Sequence, residues 1–248
     1  MEEFEREMAH LLEHPFAPHG GWLHWASRWG IDDFVAWSWV VIAGLVLFAA
    51  LATRRWQLRP GRLQNLVEWI VESLNHFCRG VIGPHGDRYT SLIGSLFLYI
   101  LLMNLIGLIP GFTSPTASLN MNLALAGVVF VAVQVIGIRE QGLLNYLKHF
   151  AGEPLWMAPL MFPIHLIGEF AKPMSLALRL FGNIFGEDTI IVVLAMLSAF
   201  LLPRFLPIPF QFPLMLFALF TSFVQALIFS MLTAVYIALI TEHAEEPH

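Results

Sequence analysis

Fifty consecutive residues, Tyr89–Ile138, carry no charged side chain. No other feature restricts the fold as strongly. A soluble domain places a charge at about every fourth position, so a gap of this length belongs in lipid. Inside a bilayer every backbone N–H and C=O must be satisfied internally, which leaves helices or a closed barrel. One helical crossing takes roughly 20 residues. The run is therefore too long for a single helix, and it breaks naturally at Pro110-Gly111, with Pro115 beyond. Two further runs lack charge, Phe34–Thr53 over 20 residues and Phe205–Thr241 over 37. All are rich in Leu, Val and Phe without strict alternation, which favours helices over barrel strands. The whole chain is 57% hydrophobic and 12% charged, so an all-α integral membrane protein is expected.

The order of charges sets the expected topology. Residues 1–32 read as an outer tail with Trp22, Trp25 and Trp29 as interfacial anchors. A helix over 33–53 is followed by Arg54, Arg55, Arg59 and Arg62, which marks that end as cytoplasmic. Residues 62–82 form an amphipathic stretch, with Leu66, Ile70, Leu74 and Phe77 at helical spacing against Glu68, Glu72 and Asn75. It is expected along the inner surface rather than across the membrane. Helices over 89–109 and 119–138 follow, then Arg139, Lys148 and His149 on the inside. The last third reads as a hairpin of long helices over 159–201 and 208–241, with a turn at 203–209 holding Arg204 and a cytoplasmic tail at 242–248. The sum is about five transmembrane helices plus one interfacial helix in a single membrane domain, 1–248. Pro159, Pro163 and Pro173 should bend the first arm of the hairpin.

Several chemistries are not expected. The single cysteine, Cys78, excludes an intrachain disulfide. A membrane haem needs axial histidines at depth, and only His165 is so placed; no metal or cofactor is expected. Met1–Glu13 is acidic and lacks the apolar core of a secretory signal. No nucleotide motif is present.

The polar residues of the last third carry the functional reading. Between Trp156 and Thr241 six residues are charged, Glu169, Lys172, Arg179, Glu187, Asp188 and Arg204. An arginine at bilayer depth costs at least ~2.5–3.5 kcal/mol on insertion scales, and a chain that keeps one usually uses it. At about 100° per residue, His165, Glu169, Lys172, Ser175, Asn183 and Glu187 share one broad face with Arg179, while Asp188 points to the opposite side. On the second arm Thr221, Ser222, Gln225 and Tyr236 form a stripe. Two facing polar stripes could line an aqueous path, or two partial paths. Each residue also has a plainer reading. Gln225 alone would be an interhelical hydrogen bond, His165 alone a structural group, and Lys172 an anchor at the inner surface. Asn104, Asn120 and Asn122 are most simply loop and helix-end caps.

At Glu169-Phe170-Ala171-Lys172-Pro173 and Ser175-Leu176-Ala177-Leu178-Arg179-Leu180-Phe181-Gly182-Asn183 the chain resembles subunit a of the F-type ATP synthases. Thr221-Ser222-Phe223-Val224-Gln225-Ala226-Leu227-Ile228-Phe229 and Leu232-Thr233-Ala234-Val235-Tyr236 form a second block. Met103-Asn104-Leu105 with Ile109-Pro110-Gly111 and Pro115-Thr116-Ala117 form a third, and Tyr146-Leu147-Lys148-His149-Phe150 is also typical. The resemblance covers most of the chain from residue 90 onwards, and the arginine block is highly specific.

The resemblance implies a stator subunit whose long hairpin curves beside a rotating c ring. It implies two aqueous half-channels that carry protons to and from a c-ring carboxylate. Arg179 takes the place of the family's essential arginine, Asn183 its neighbouring asparagine, and Gln225 the glutamine that faces it. Asp188 stands where relatives carry an acidic channel residue, usually Glu, with Glu187 beside it. His165, Glu169, Lys172, Ser175, Thr221, Ser222 and Tyr236 are candidates for the channel lining. Two positions depart from the pattern. His165 stands where many bacterial relatives have Glu, and Ala218 where many have His or Glu, which leaves His165, Glu169 or Glu187 to stand in. The implied partners are c-ring subunits, the subunit b stalk, the remainder of the F1F0 complex and membrane lipids, with no nucleic acid. The implied location is the bacterial inner membrane, N-terminus outside and C-terminus cytoplasmic. A rival reading is a secondary transporter that binds an anionic substrate through Arg179. It predicts inverted repeats, which the sequence does not show. An antiporter-like subunit would need more helices and buried lysines, and a bare scaffold leaves the charged stripe unexplained.

Overall fold

A computed structural model describes residues 33–54, 61–109, 112, 114–142, 158–201 and 211–245. Trp22, Trp25, Trp29, Arg55, Arg59, the break at 110–111, the segment 146–150 and the turn at 203–209 lie outside the described residues. Among the described residues the chain is helical throughout, without a strand. The helices are α1 (Asp33–Thr53), α2 (Arg62–Ile82), α3 (Thr90–Ile106), α4 (Leu119–Gln141), α5 (Ala158–Leu201) and α6 (Gln211–Glu245). Short 3-10 turns at Gly86–Arg88 and Pro115–Ala117 precede α3 and α4.

Three helices are long and apolar enough to cross a membrane, in α1, α4 and α6. α3, at 17 residues, is a shorter apolar helix, and α5 is interrupted by its charged stripe. The expected count of five crossings is thus met by length and composition in three. α5 has 44 residues and α6 has 35. At 1.5 Å per residue these are about 66 Å and about 52 Å long, against ~30 Å of hydrocarbon. Neither can stand upright within the bilayer. α5 continues through Pro163 and Pro173, so these prolines do not break it.

Helix ends differ from the sequence expectation for local reasons. α3 stops at Ile106, short of 109, where the Gly107 N–H turns back to the Asn104 carbonyl at 3.3 Å. A Cβ on Gly107 would lie 2.6 Å from the Ser114 Cβ, so only glycine lets the returning loop come this close. α4 runs on to Gln141 and stops at Gly142, whose φ of +78° favours glycine. α6 extends to Glu245, so the start of the expected 242–248 tail is helical.

α3 packs most extensively on α6 and α4 on α5, while α4–α6 and α5–α6 contacts close the bundle. Its core joins Ile93 and Ile100 of α3, Val129 of α4, Leu176 and Leu180 of α5 and Phe229 of α6. Outward-facing residues are apolar instead of charged, for example Val46 (63% exposed), Val128 (61%) and Phe220 (63%). In water such a surface would aggregate; lipid tails are as apolar as these side chains and accept them. Conversely, Asn104, Thr116, Asn122, Gln225 and Thr233 are buried, as polar groups in a bilayer are held inside the bundle.

The junction between α2 and α3 is a tight elbow. Arg79 donates to both Asp87 oxygens at 2.5 and 2.6 Å, and Thr90 donates to the Asn75 side-chain oxygen at 2.8 Å. A Cβ on Gly86 would lie 2.6 Å from the Cys78 carbonyl oxygen. Cys78 is fully buried in this elbow, and burial raises its thiol above the usual range. A raised value means less thiolate at a given pH, and thiolate is the nucleophile. Cys78 in folded membranes should therefore resist maleimide at neutral pH and react only after denaturation. Prompt labelling of the folded protein would show that the elbow opens.

Candidate functional site

Arg179 sits at the middle of α5, with 21 residues of the helix before it and 22 after it. Leu176, Ala177, Leu180 and Ile184 are buried on one side of the helix, while Ile167, Phe170, Met174 and Leu178 are exposed on the other. Arg179 lies at the border of these arcs and is itself exposed. Among the described residues no carboxylate forms a salt bridge with it.

Three side-chain contacts tie α5 to α6. Lys172 lies over the Tyr236 ring at 5.4 Å from its centroid. The Asn183 amide donates to the Gln225 side-chain oxygen at 2.6 Å. Thr221 donates to a Glu187 oxygen at 2.8 Å. Eleven residues separate Lys172 from Asn183, and eleven separate Tyr236 from Gln225; four more lead to Glu187 and to Thr221. The helices are thus antiparallel in one unbroken register across all three contacts. Arg179 falls between the first contact and the second, level with the buried Phe229.

The contacts build two unlike polar clusters. Beyond Arg179, an open cleft of about 430 Å³ is lined by Asn183, Glu187, Thr221 and Gln225 together with Gly182, Gly186 and apolar residues. Two of its buried polar atoms, Glu187 Oε1 and Gln225 Nε2, have no hydrogen-bond partner. One accepts and the other donates. Before Arg179 the polar groups are paired with one another and the space is far smaller. Glu169 accepts from Lys172 through one oxygen and from Gln134 of α4 through the other, the latter at 3.2 Å. The space beside this pair, bordered also by Pro173, Leu176 and Tyr236, is only about 20 Å³, the size of a single water.

The remaining expected residues are dispersed. His165 and Ser175 are exposed on α5, and Asp188 is half-buried with no hydrogen bond among the described residues. Ser222 is buried, and its carbonyl accepts from Asn104 at 3.4 Å. That contact corrects the reading of Asn104 and Asn122 as caps. Thr116 donates to the Asn104 oxygen at 2.7 Å and contacts Ser114 at 2.7 Å, while Asn122 donates to the Thr116 carbonyl at 2.6 Å. All four side chains are buried, and they join α3, the loop, α4 and α6. Gln134 was also missed, because a lone glutamine in an apolar run gives no sign of its partner. Among the described residues no group of His, Cys, Asp or Glu could hold a metal ion.

The family model for the ATP synthase A chain matches residues 35–238. The chain is 43% identical over 234 residues to ATP synthase subunit a 1 of Syntrophotalea carbinolica, covering 94% of this chain and 95% of that protein. It is 40% identical over 230 residues to ATP synthase subunit a of Geotalea daltonii, covering 91% and 96%. Against ATP synthase subunit a of Protochlamydia amoebophila it is 40% identical over 244 residues, covering 95% and 88%.

Proposed function

The chain belongs to the ATP synthase A chain family, and on that premise we propose that it carries protons to and from a ring of c subunits through two half-channels separated by Arg179. The observation that carries the reading is the position of Arg179, a fixed cation at mid-helix between an open polar cleft and a paired polar cluster. An opposite charge at close range lowers a carboxylate pKa by about 1–3 units. A rotor carboxylate passing Arg179 therefore releases its proton to one path and takes one from the other before it returns to lipid. The same cation repels protons and prevents a short circuit between the paths. Each charge moved through 100 mV releases about 2.3 kcal/mol, so several steps drive one ATP.

In this reading Glu187, Gln225, Asn183 and Thr221 serve the open side, with Asp188 and Ser222 close by. His165 and Ser175 border the other path, next to the cluster of Glu169, Lys172 and Tyr236. α3 and α5 join α1, α4 and α6 as membrane helices, α2 lies on the inner surface, and the C-terminus is cytoplasmic in a bacterial inner membrane. Subunit b and the rest of the complex supply the stalk and the ATP chemistry.

The test separates this from an anion transporter. The chain should co-purify with an oligomeric ring of a small helical-hairpin protein, and liposomes holding that complex should acidify when ATP is added. Saturable binding of a small anion by the isolated chain, with no ring recovered, would instead favour the transporter.

A further inference from the structure

The paired cluster suits a fixture better than a proton carrier. Both Glu169 oxygens are occupied, one by Lys172 and one by Gln134. Lys172 in turn reaches the Tyr236 ring. Three helices thus meet at one ion pair, α4 through Gln134, α5 through Glu169 and Lys172, and α6 through Tyr236. The adjoining space of about 20 Å³ leaves little room for a chain of waters. Along α5, Lys172 is seven residues before Arg179, and Asn183, the next cross-helix contact, is four residues after it. The arginine is held from both ends in a single register.

We propose that Gln134, Glu169, Lys172 and Tyr236 form a clamp that sets the depth and rotation of Arg179, and that Glu169 is a positioning residue which does not itself carry protons. The proposal rests on the ion-translocating reading above. A clamp needs hydrogen-bonding groups of the right length, whereas a carrier needs a group that titrates, and substitution separates these requirements.

The experiment uses the assembled complex in liposomes and compares ATP hydrolysis with ATP-driven acidification. Glu169→Gln, whose amide oxygen can still accept from Lys172 and whose NH2 can donate to Gln134 once that amide turns its oxygen inward, and Lys172→Arg should retain protons moved per ATP within about threefold of the parent. Glu169→Ala and Lys172→Ala, which remove these contacts, should lower that ratio by about tenfold while hydrolysis continues, because α5 then loses its polar ties to α4 or α6 at this level. Because the ATP chemistry lies in other subunits, lost assembly would also lower the ratio, so each variant complex is first shown to hold this chain at the parental amount. A Glu169→Gln variant as impaired as Glu169→Ala overturns the proposal, because the carboxylate would then be carrying protons. Alanine variants that couple like the parent overturn it as well. If the alanine variants do not assemble, Glu169→Gln decides alone: retained coupling supports the clamp and lost coupling overturns it. Arg179→Ala serves as the control, since pumping that survives there counts against the half-channel reading instead.

Discussion

Arg179→Ala should abolish ATP-driven acidification of liposomes that hold the assembled complex. The expected size follows from the charge. If the guanidinium lowers a passing carboxylate by about 1–3 pKa units, its removal forfeits about 1.4 kcal/mol per unit. That corresponds to roughly ten- to thousandfold in the release step. Passive proton leak through the membrane sector, with the catalytic head removed, should rise at the same time, because the barrier between the paths is gone. Arg179→Lys should recover little, since a lysine ammonium is compact, more strongly hydrated and able to lose its proton. Pumping at the parental rate in an assembled Arg179→Ala complex would make the arginine structural and sink the proposed mechanism.

Asn104→Leu should have the largest effect on stability. The substitution keeps most of the side-chain volume but leaves the Thr116 hydroxyl without its acceptor at 2.7 Å and removes the 3.4 Å contact to Ser222. Thr116 keeps Ser114 as a hydroxyl neighbour at 2.7 Å, so the loss is that of a net hydrogen bond, about 0.5–1.5 kcal/mol. Hydrogen bonds between membrane helices average nearer ~0.6 kcal/mol, so the long contact to Ser222 adds less than the short one to Thr116. The measurement is the thermal unfolding midpoint of the detergent-solubilised chain, which should fall. An unchanged midpoint would mean that the buried network relaxes without penalty.

The apolar character of the chain was plain from its sequence, and so was the place of the charged stripe. What each helix faces was not. α1, α3 and α4 are apolar on every side, so periodicity cannot tell a lipid-facing residue from a core residue. Val128 and Val129 are neighbours of identical chemistry, yet one is 61% exposed and the other 3%. The helical wheel put Asn183 and Glu187 on one face of α5, but the identity of their partners depends on the register with α6, which no single helix encodes. The network at Asn104 was hidden for a similar reason. Its members lie up to 118 residues apart in the chain, and an asparagine near a helix end looks like a cap until the fold closes around it.

The length of α5 has an electrical consequence. A helix about twice as long as the hydrocarbon is thick must lie steeply inclined if it stays inside, so points along it are displaced sideways as well as in depth. Lys172 and Asn183 are eleven residues apart, about 16 Å along the axis. If the two aqueous paths end about this far apart on either side of Arg179, the membrane voltage drops over that short stretch instead of the full ~30 Å. The field at Arg179 is then roughly doubled, and a proton crosses most of the potential in one short transfer.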